Sequence, residues 1–312
     1  MIKIDKNNSY IDVVEKNGTI TSWVRDVDGA LHVINSPAED YYYLFMPANG
    51  TASDYVNIYN EPMRKVSFRK KFEMKNYSAG RKGICESDVQ PRYKFIIDNF
   101  FDTTPDAPYN VLYYDIETDF DLSTGDGYPT PANPFGQINA ISCFDYTRKE
   151  YFMFMFDHLK NTVQLEDKEY PVNIVWCEDE RDLLLMFSAF LDEADIDCLA
   201  GWNVNAFDLL YIMERSIILF GETFAKSMYC RNGFDASKRS FVNEHKEETW
   251  EWNLVGRQHL DMMALYKKLF PGEKKSFSLD NVCSEDIGIS KMEYDGDLGE
   301  LYRTNPQKFM EY

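Results

Sequence analysis

The sequence predicts a mixed α/β (α+β) chain: a smaller β-rich first domain, then a larger domain with a mixed sheet flanked by helices. Three features of the sequence carry that expectation. Near the start, Asn17-Gly18 and Asp28-Gly29 each separate two alternating runs, "VVEKNGTITSWV" and "VRDVDGALHVI". Asn, Asp and Gly tolerate positive φ, so both read as type I′ hairpin turns. From residue 111 onward, apolar strand-like runs interleave with helical patterns, the signature of a sheet covered by helices. Between the two regions, "FFDTTPDAPYN" carries two prolines and short polar residues and reads as a linker. The expected domains are 1–105 and 106–312.

The 312 residues are 44% hydrophobic and 15% aromatic, enough to build cores, and carry a formal charge of −19. Such acidity argues against broad electrostatic wrapping of nucleic acid. It leaves room for a local site where metal ions offset carboxylates and meet a phosphate. None of the six cysteines forms a CxxC pair and the four histidines do not cluster with them, so neither a zinc site nor a disulfide framework is expected. The charged start "MIKIDKNNSYIDVV" is no secretory signal, and no apolar run approaches membrane-spanning length. A cytoplasmic setting without a membrane partner is the expectation.

In order along the chain, an aromatic run at 41–46 follows the two hairpins. "EPMRKVSFRKKFEMK" then concentrates Arg64, Lys65, Arg69, Lys70 and Lys71. It reads either as a solvated helix face or as a phosphate-contacting patch. After the linker, "VLYYDIE", "INAISCFDY", "YFMFMF" and "VNIVWC" read as strands. "RDLLLMFSAFLDEA" spaces Leu183, Leu184, Phe187, Phe190 and Leu191 as one helix face, with Asp179 as its N-cap. "CLAGWN" is a short buried strand, and "FDLLYIMERSIILFG" is a helix that stops at Gly221. "SFVNEHKEETWEWNLV" reads as a β-hairpin with a polar tip near His245.

One strand ends unusually. "VLYYDIETDF" runs from apolar residues straight into Asp115 and Glu117. Side chains alternate along a strand, so these two carboxylates share a face while Ile116 points into the core. Two anions about 7 Å apart repel unless a cation lies between them, and oxygen ligands suit Mg²⁺ or Mn²⁺. A second stretch, "AGWNVNAFDLLY", ends a buried strand near Asn203 and opens a helix at Phe207 and Asp208. Asp208 reads either as a helix-start acid favoured by the dipole or as a third metal ligand. Both motifs together, in this strand–helix context, favour the ligand reading.

"YYDIET" and "NVNAFD" resemble the first and second exonuclease motifs of the family B DNA polymerases. "DGYPTPANPFGQINAIS", "LAGWNVNAFDLLYIMERSIILFGETFAK", "LDMMALYKKLF" and "SFSLDNVC" are similar to phage-type members of that family in order and spacing. "IDVVEKNGTI", "YYYLFMP" and "YNEPMRKV" more loosely resemble the family's N-terminal domain. The resemblance implies an RNase H-like proofreading 3′-to-5′ exonuclease preceded by that domain. Asp115, Glu117 and Asp208 would then hold two Mg²⁺ or Mn²⁺ ions. Asn203 would support the site, Phe207 would pack near the primer end, and Tyr128 would stack on unpaired bases. The partners implied are the single-stranded primer 3′ end, primer–template DNA and a polymerase portion in the same chain or a separate subunit. The setting implied is the cytoplasm of a phage's host cell.

The family's third exonuclease motif is a tyrosine followed four places later by an aspartate. Four residues beyond Tyr211, Tyr229, Tyr266, Tyr294 and Tyr302 stand Arg215, Gly233, Phe270, Leu298 and Pro306. Only Tyr312, the last residue, is left to be the motif's tyrosine, so the chain is expected to stop short of its last metal ligand and to be weakly active alone. Asp261 and Asp280 are the substitutes to consider. No palm motif of a polymerase is present, so polymerisation by this chain alone is not expected. The competing readings are a free-standing exonuclease completed by another chain and a catalytically silent DNA- or protein-binding module.

Overall fold

The computed structural model describes residues 5, 7–50, 53–100, 105–120, 127–167, 169–242, 248–272, 274–292 and 298–311. The chain divides into two compact units, Met1–Tyr109 and Asn110–Tyr312.

In the first unit, β1 (Ser9–Lys16), β2 (Thr19–Arg25) and β3 (Leu31–Pro37) form an antiparallel meander. Asn17 and Gly18 have φ of 53° and 79° and close a two-residue turn between the paired Lys16 and Thr19. The second turn differs from the I′ expectation. Pairing stops at Arg25 and Leu31, and Gly29 alone of the residues between them takes a left-handed φ, 84°. The Asp26 carboxylate accepts the N–H groups of Asp28 and Ala30 at 3.0 and 2.9 Å, so a side-chain cap builds a longer loop than the dipeptide predicts.

A second small sheet orders β4 (Tyr43–Pro47), β6 (Pro62–Ser67) and β5 (Tyr55–Val56), and α1 (Lys71–Ser78) and α2 (Pro91–Phe100) complete the unit. The basic stretch is not one helix face. Arg64 and Lys65 lie on β6, Lys71 opens α1, and the Lys65 ammonium sits 3.7 Å from the Tyr43 ring centre. The core gathers Val13, Ile20, Val24, Phe95 and Phe100.

The second unit is built on six strands: β7 (Val111–Thr118), β8 (Ile138–Asp145), β9 (Glu150–Phe156), β10 (Val172–Cys177), β11 (Cys198–Gly201) and β14 (Gln258–Asp261). Their spatial order is β10-β9-β8-β7-β11-β14. β7–β8 and β8–β9 pair antiparallel, while β9–β10, β7–β11 and β11–β14 pair parallel. This is the mixed, RNase H-like sheet that the sequence leads one to expect, with β7 near its centre.

Leu112, Tyr114 and Ile116 of β7 are buried on one face, where α3 (Glu180–Glu193) covers the sheet. Its buried stripe is Leu183, Leu184, Phe187, Phe190 and Leu191, and the Asp179 side chain caps it by accepting the Asp182 N–H at 2.9 Å. Phe190 and Phe187 set their rings 4.5 and 5.7 Å from Phe152 and Phe154 of β9. α4 (Asp208–Phe220) ends at Gly221, whose φ of 83° suits glycine, and α5 (Glu222–Met228) follows.

β12 (Ser237–Val242) and β13 (Glu248–Asn253) form the expected antiparallel hairpin; its tip, with His245, lies outside the described residues. The chain continues through α6 (Met262–Leu269), α7 (Leu279–Ile287), α8 (Leu298–Thr304) and α9 (Pro306–Glu311). Among the described residues no helix is long and apolar enough to cross a membrane.

Candidate active site

Strand alternation does at β7 what the sequence predicts. Asp115 and Glu117 point into a cleft of about 810 Å³, while Ile116 between them is buried on the opposite face. Ser142 and Ala140 of β8, their pairing partners, line the same cleft. The β7–β8 register slips by one residue between Glu117 and Thr118, a bulge at the end of the strand. Bulges re-aim side chains and end pairing, and this one sits directly beside a carboxylate.

Asp208 comes to the same place from another element. It is the first residue of α4, buried, and its Oδ1 accepts the Ile116 N–H at 3.1 Å. The helix start thus grips the backbone of β7 between the two strand carboxylates. Asp208 and Asp115 also lie close enough that each carboxyl perturbs the other. Burial, and then the Asp115 charge, push Asp208 up to about 8. Asp115 is open to solvent at the cleft floor but walled by protein elsewhere, and burial raises its carboxyl too. Glu117 is pushed up to about 7 by burial and by the neighbouring Asp115 charge. Three acids whose protons are hard to remove mark a place with less positive charge than its carboxylates would need.

Among the described residues, no three acidic, histidine or cysteine side chains close around one point at metal-binding distance. Asp115 and Asp208 meet, and Glu117 stands beside them without joining that contact. As a donor set, these are hard oxygens with raised proton affinity, two of them lining the cleft and Asp208 buried behind Asp115, which suits a hard divalent cation.

Sequence reasoning missed Lys291. It lines the cleft, and its charge opposes the upward shift of both Asp115 and Glu117. No periodic pattern points to it, because it sits in the loop after α7. Asp280, on the first turn of α7, lines the cleft and holds that loop by accepting the Lys291 N–H at 2.6 Å. Asp261 is occupied differently: it caps α6 through the Ala264 N–H at 3.0 Å and receives the Asn205 N–H at 3.3 Å.

Among the described residues, Asn203, Phe207 and Tyr128 do not line this cleft. Asn203 adopts a φ of 62° in the turn between β11 and α4, and its carbonyl accepts the N–H groups of Ala206 and Phe207. Phe207 stacks on Tyr211 at 5.5 Å and 26°. Tyr128 is 67% exposed, with its ring 5.0 Å from Phe120. Tyr312 lies outside the described residues.

A family model described as "DNA polymerase family B, exonuclease domain" matches residues 70–282, more than half of the chain. The chain belongs to this family. As a family B exonuclease domain, it is similar to the DNA-directed DNA polymerase of Escherichia phage RB69, at 24% identity over 84% of this chain and 31% of the relative. It is also similar to the DNA-directed DNA polymerase of Enterobacteria phage T4, at 25% identity over 61% of this chain and 23% of the relative. The DNA polymerase delta catalytic subunit of Schizosaccharomyces pombe is 26% identical over 59% of this chain and 16% of the relative. This family B chain therefore spans less than a third of the length of each of these three relatives.

Proposed function

We propose that the chain carries the proofreading 3′-to-5′ exonuclease of a replicative family B DNA polymerase. The observation that supports this reading most is the meeting of Asp115 and Asp208, with Glu117 beside them, at the edge of an open cleft. Buried acids gathered without an equal number of cations are costly to a fold and serve a site that receives positive charge. Under this proposal Asp115, Glu117 and Asp208 hold divalent metal, two Mg²⁺ or Mn²⁺ ions in the working enzyme. Such ions supply an activated water for attack on the scissile phosphorus and stabilise the leaving 3′ oxygen.

The chain's own residues do the rest. Asp208 anchors its carboxylate to β7 through the Ile116 N–H, so two ligands move as one body. Lys291 offers a positive charge toward the phosphate side of the cleft. Asn203 sets the turn that delivers Phe207 and Asp208, and the exposed Tyr128 ring stacks on an unpaired base. Selectivity for mispaired ends follows, because a frayed end has less pairing and stacking to lose on entering the site. The proposed partners are a single-stranded primer 3′ end, primer–template DNA and a polymerase portion in the same chain or a separate subunit. The proposed setting is a phage's host cytoplasm, and 1–105 and 106–312 are the proposed domains.

Polarity is tested with a 5′-labelled single-stranded oligonucleotide and Mg²⁺. The expected product is a ladder shortened one nucleotide at a time from the 3′ end, even if slow, and stopped by EDTA. Internal cuts, or early release of the 5′ label as a mononucleotide, would overturn the assignment.

Tyr128→Ala is expected to weaken single-strand binding by about 1 to 3 kcal/mol, the value of one stacked base. Duplex binding should hardly change. Equal losses on both substrates would make Tyr128 an ordinary surface residue.

A further inference from the structure

Residues 134–138 lead from the Tyr128 segment into β8, and they are fastened at four places by groups that line no part of the cleft. Arg215 Nη1 donates to the Pro134 carbonyl at 3.0 Å, and the Tyr211 hydroxyl donates to the Gly136 carbonyl at 2.6 Å. The Asp119 N–H donates to the Gln137 carbonyl at 2.8 Å, and the Ile138 N–H donates to Glu180 Oε1 at 2.8 Å. Glu180 and Arg215 are themselves joined two-fold. Nε donates to Oε1 at 2.8 Å, and the outer nitrogen Nη2 donates to Oε2. Their side chains are only 6% and 12% exposed.

A buried ion pair is a poor way to stabilise a core, since an apolar pair of similar volume commonly does as well or better. This pair has another use, in where it holds the backbone. Ile138 stands opposite Thr118, immediately past the bulge beside Glu117. A Cβ on Gly136 would lie 2.2 Å from the Asp119 carbonyl, so the fastened turn presses on the exit of β7 at a point only glycine permits. The next residue, Phe120, carries the ring that meets Tyr128.

We propose that Glu180, locked by Arg215, is a positioning residue of the nuclease site. It fixes residues 134–138, and through them both the bulge beside Glu117 and the Phe120–Tyr128 pair. The part concerning Tyr128 rests on its reading as a base-stacking residue.

Glu180→Met combined with Arg215→Met removes both charges together and leaves no buried ion unpaired. In hydrogen exchange read by mass spectrometry without metal or DNA, peptides covering 117–120 and 134–140 should exchange roughly tenfold faster, as a local opening would produce. Peptides of α6 and the melting temperature should change little. Unchanged exchange in those two peptides overturns the proposal.

The second arm measures binding of a fluorescein-labelled oligothymidylate with Ca²⁺ in place of Mg²⁺. It compares Tyr128→Ala in the native and in the double-Met background. The native background should lose roughly tenfold on Tyr128→Ala, and the double-Met background little. The same loss in both backgrounds would show a merely structural pair and overturn the proposal. If Tyr128→Ala costs nothing even in the native background, the base-stacking reading has failed, and the exchange arm decides the positioning role alone. Should the double-Met protein not fold, Tyr211→Phe removes only the Gly136 bond and gives the same two comparisons, with exchange expected to rise at 134–138.

Discussion

Replacing Asp115 and Glu117 together by alanine is expected to lower Mg²⁺-dependent release of 3′ nucleotides by on the order of a thousandfold or more. Bound metal contributes several kcal/mol at a phosphoryl transition state, and each 1.4 kcal/mol is about tenfold in rate. The fold should survive, because the change removes two acids that burial already disfavours as anions. The pH dependence of stability gives a second reading, taken in EDTA. Glu117 is raised from 4.5 to about 7 in the folded chain. A carboxyl with a raised folded pKa binds its proton more tightly folded than unfolded, so its contribution is full below pH 4.5 and is lost as pH rises toward 7. The double variant should therefore gain stability relative to the native chain across that window and level off above it. Undiminished digestion of a mismatched primer end by this variant would sink the nuclease assignment.

Phe187→Ala is expected to cost about 3–5 kcal/mol of stability, the range for emptying a large aromatic site in a packed core. Phe187 is 2% exposed and lies beneath β7. Its ring centre is 6.2 Å from Tyr114, 5.7 Å from Phe154 and 6.3 Å from Tyr229. Against a total of about 5–15 kcal/mol for an ordinary domain, this is a large share. Urea unfolding should show a lower midpoint with little change in slope. A loss under about 1 kcal/mol would mean that the site collapses around the gap, and that α3 does not hold β7 in the way its ring contacts indicate.

The elements that can be read from the sequence are those whose evidence is local. β7 alternates and α3 carries a stripe capped by Asp179, so composition within ten or fifteen residues decides both. Asp115 and Glu117 could be placed on one face for the same reason. The Asp115–Asp208 contact could not be derived from either motif alone, because neither Asp-x-Glu nor an acid at a helix start is specific. It became an expectation when the two motifs were read together in their strand–helix context, and the family resemblance then assigned both the same role. Lys291 stayed hidden because its loop reaches the cleft by tertiary folding, with no period to betray it. The loop at 26–30 was misjudged because the Asp26 side chain captures two backbone N–H groups and outweighs the Asp28-Gly29 dipeptide. For the basic stretch at 64–71 only the helix-face reading fails, because charge says little about helix or strand and β4 offers Arg64 and Lys65 a pairing edge.

The grip of Asp208 on Ile116 joins residues 92 positions apart. It also depends on β11 entering between β7 and β14 by parallel pairing, which no hairpin can nucleate. Contacts of such long range form late, since loop-closure entropy must be met before they return any energy. While the chain is being synthesised, β7 to β10 emerge first and bring Asp115 and Glu117 without their opposing acid. Cutting power on the proposed reading therefore arrives only with the completed sheet. On that same reading, a chain still being synthesised would present two of the three acids at the cleft and would not yet cut DNA.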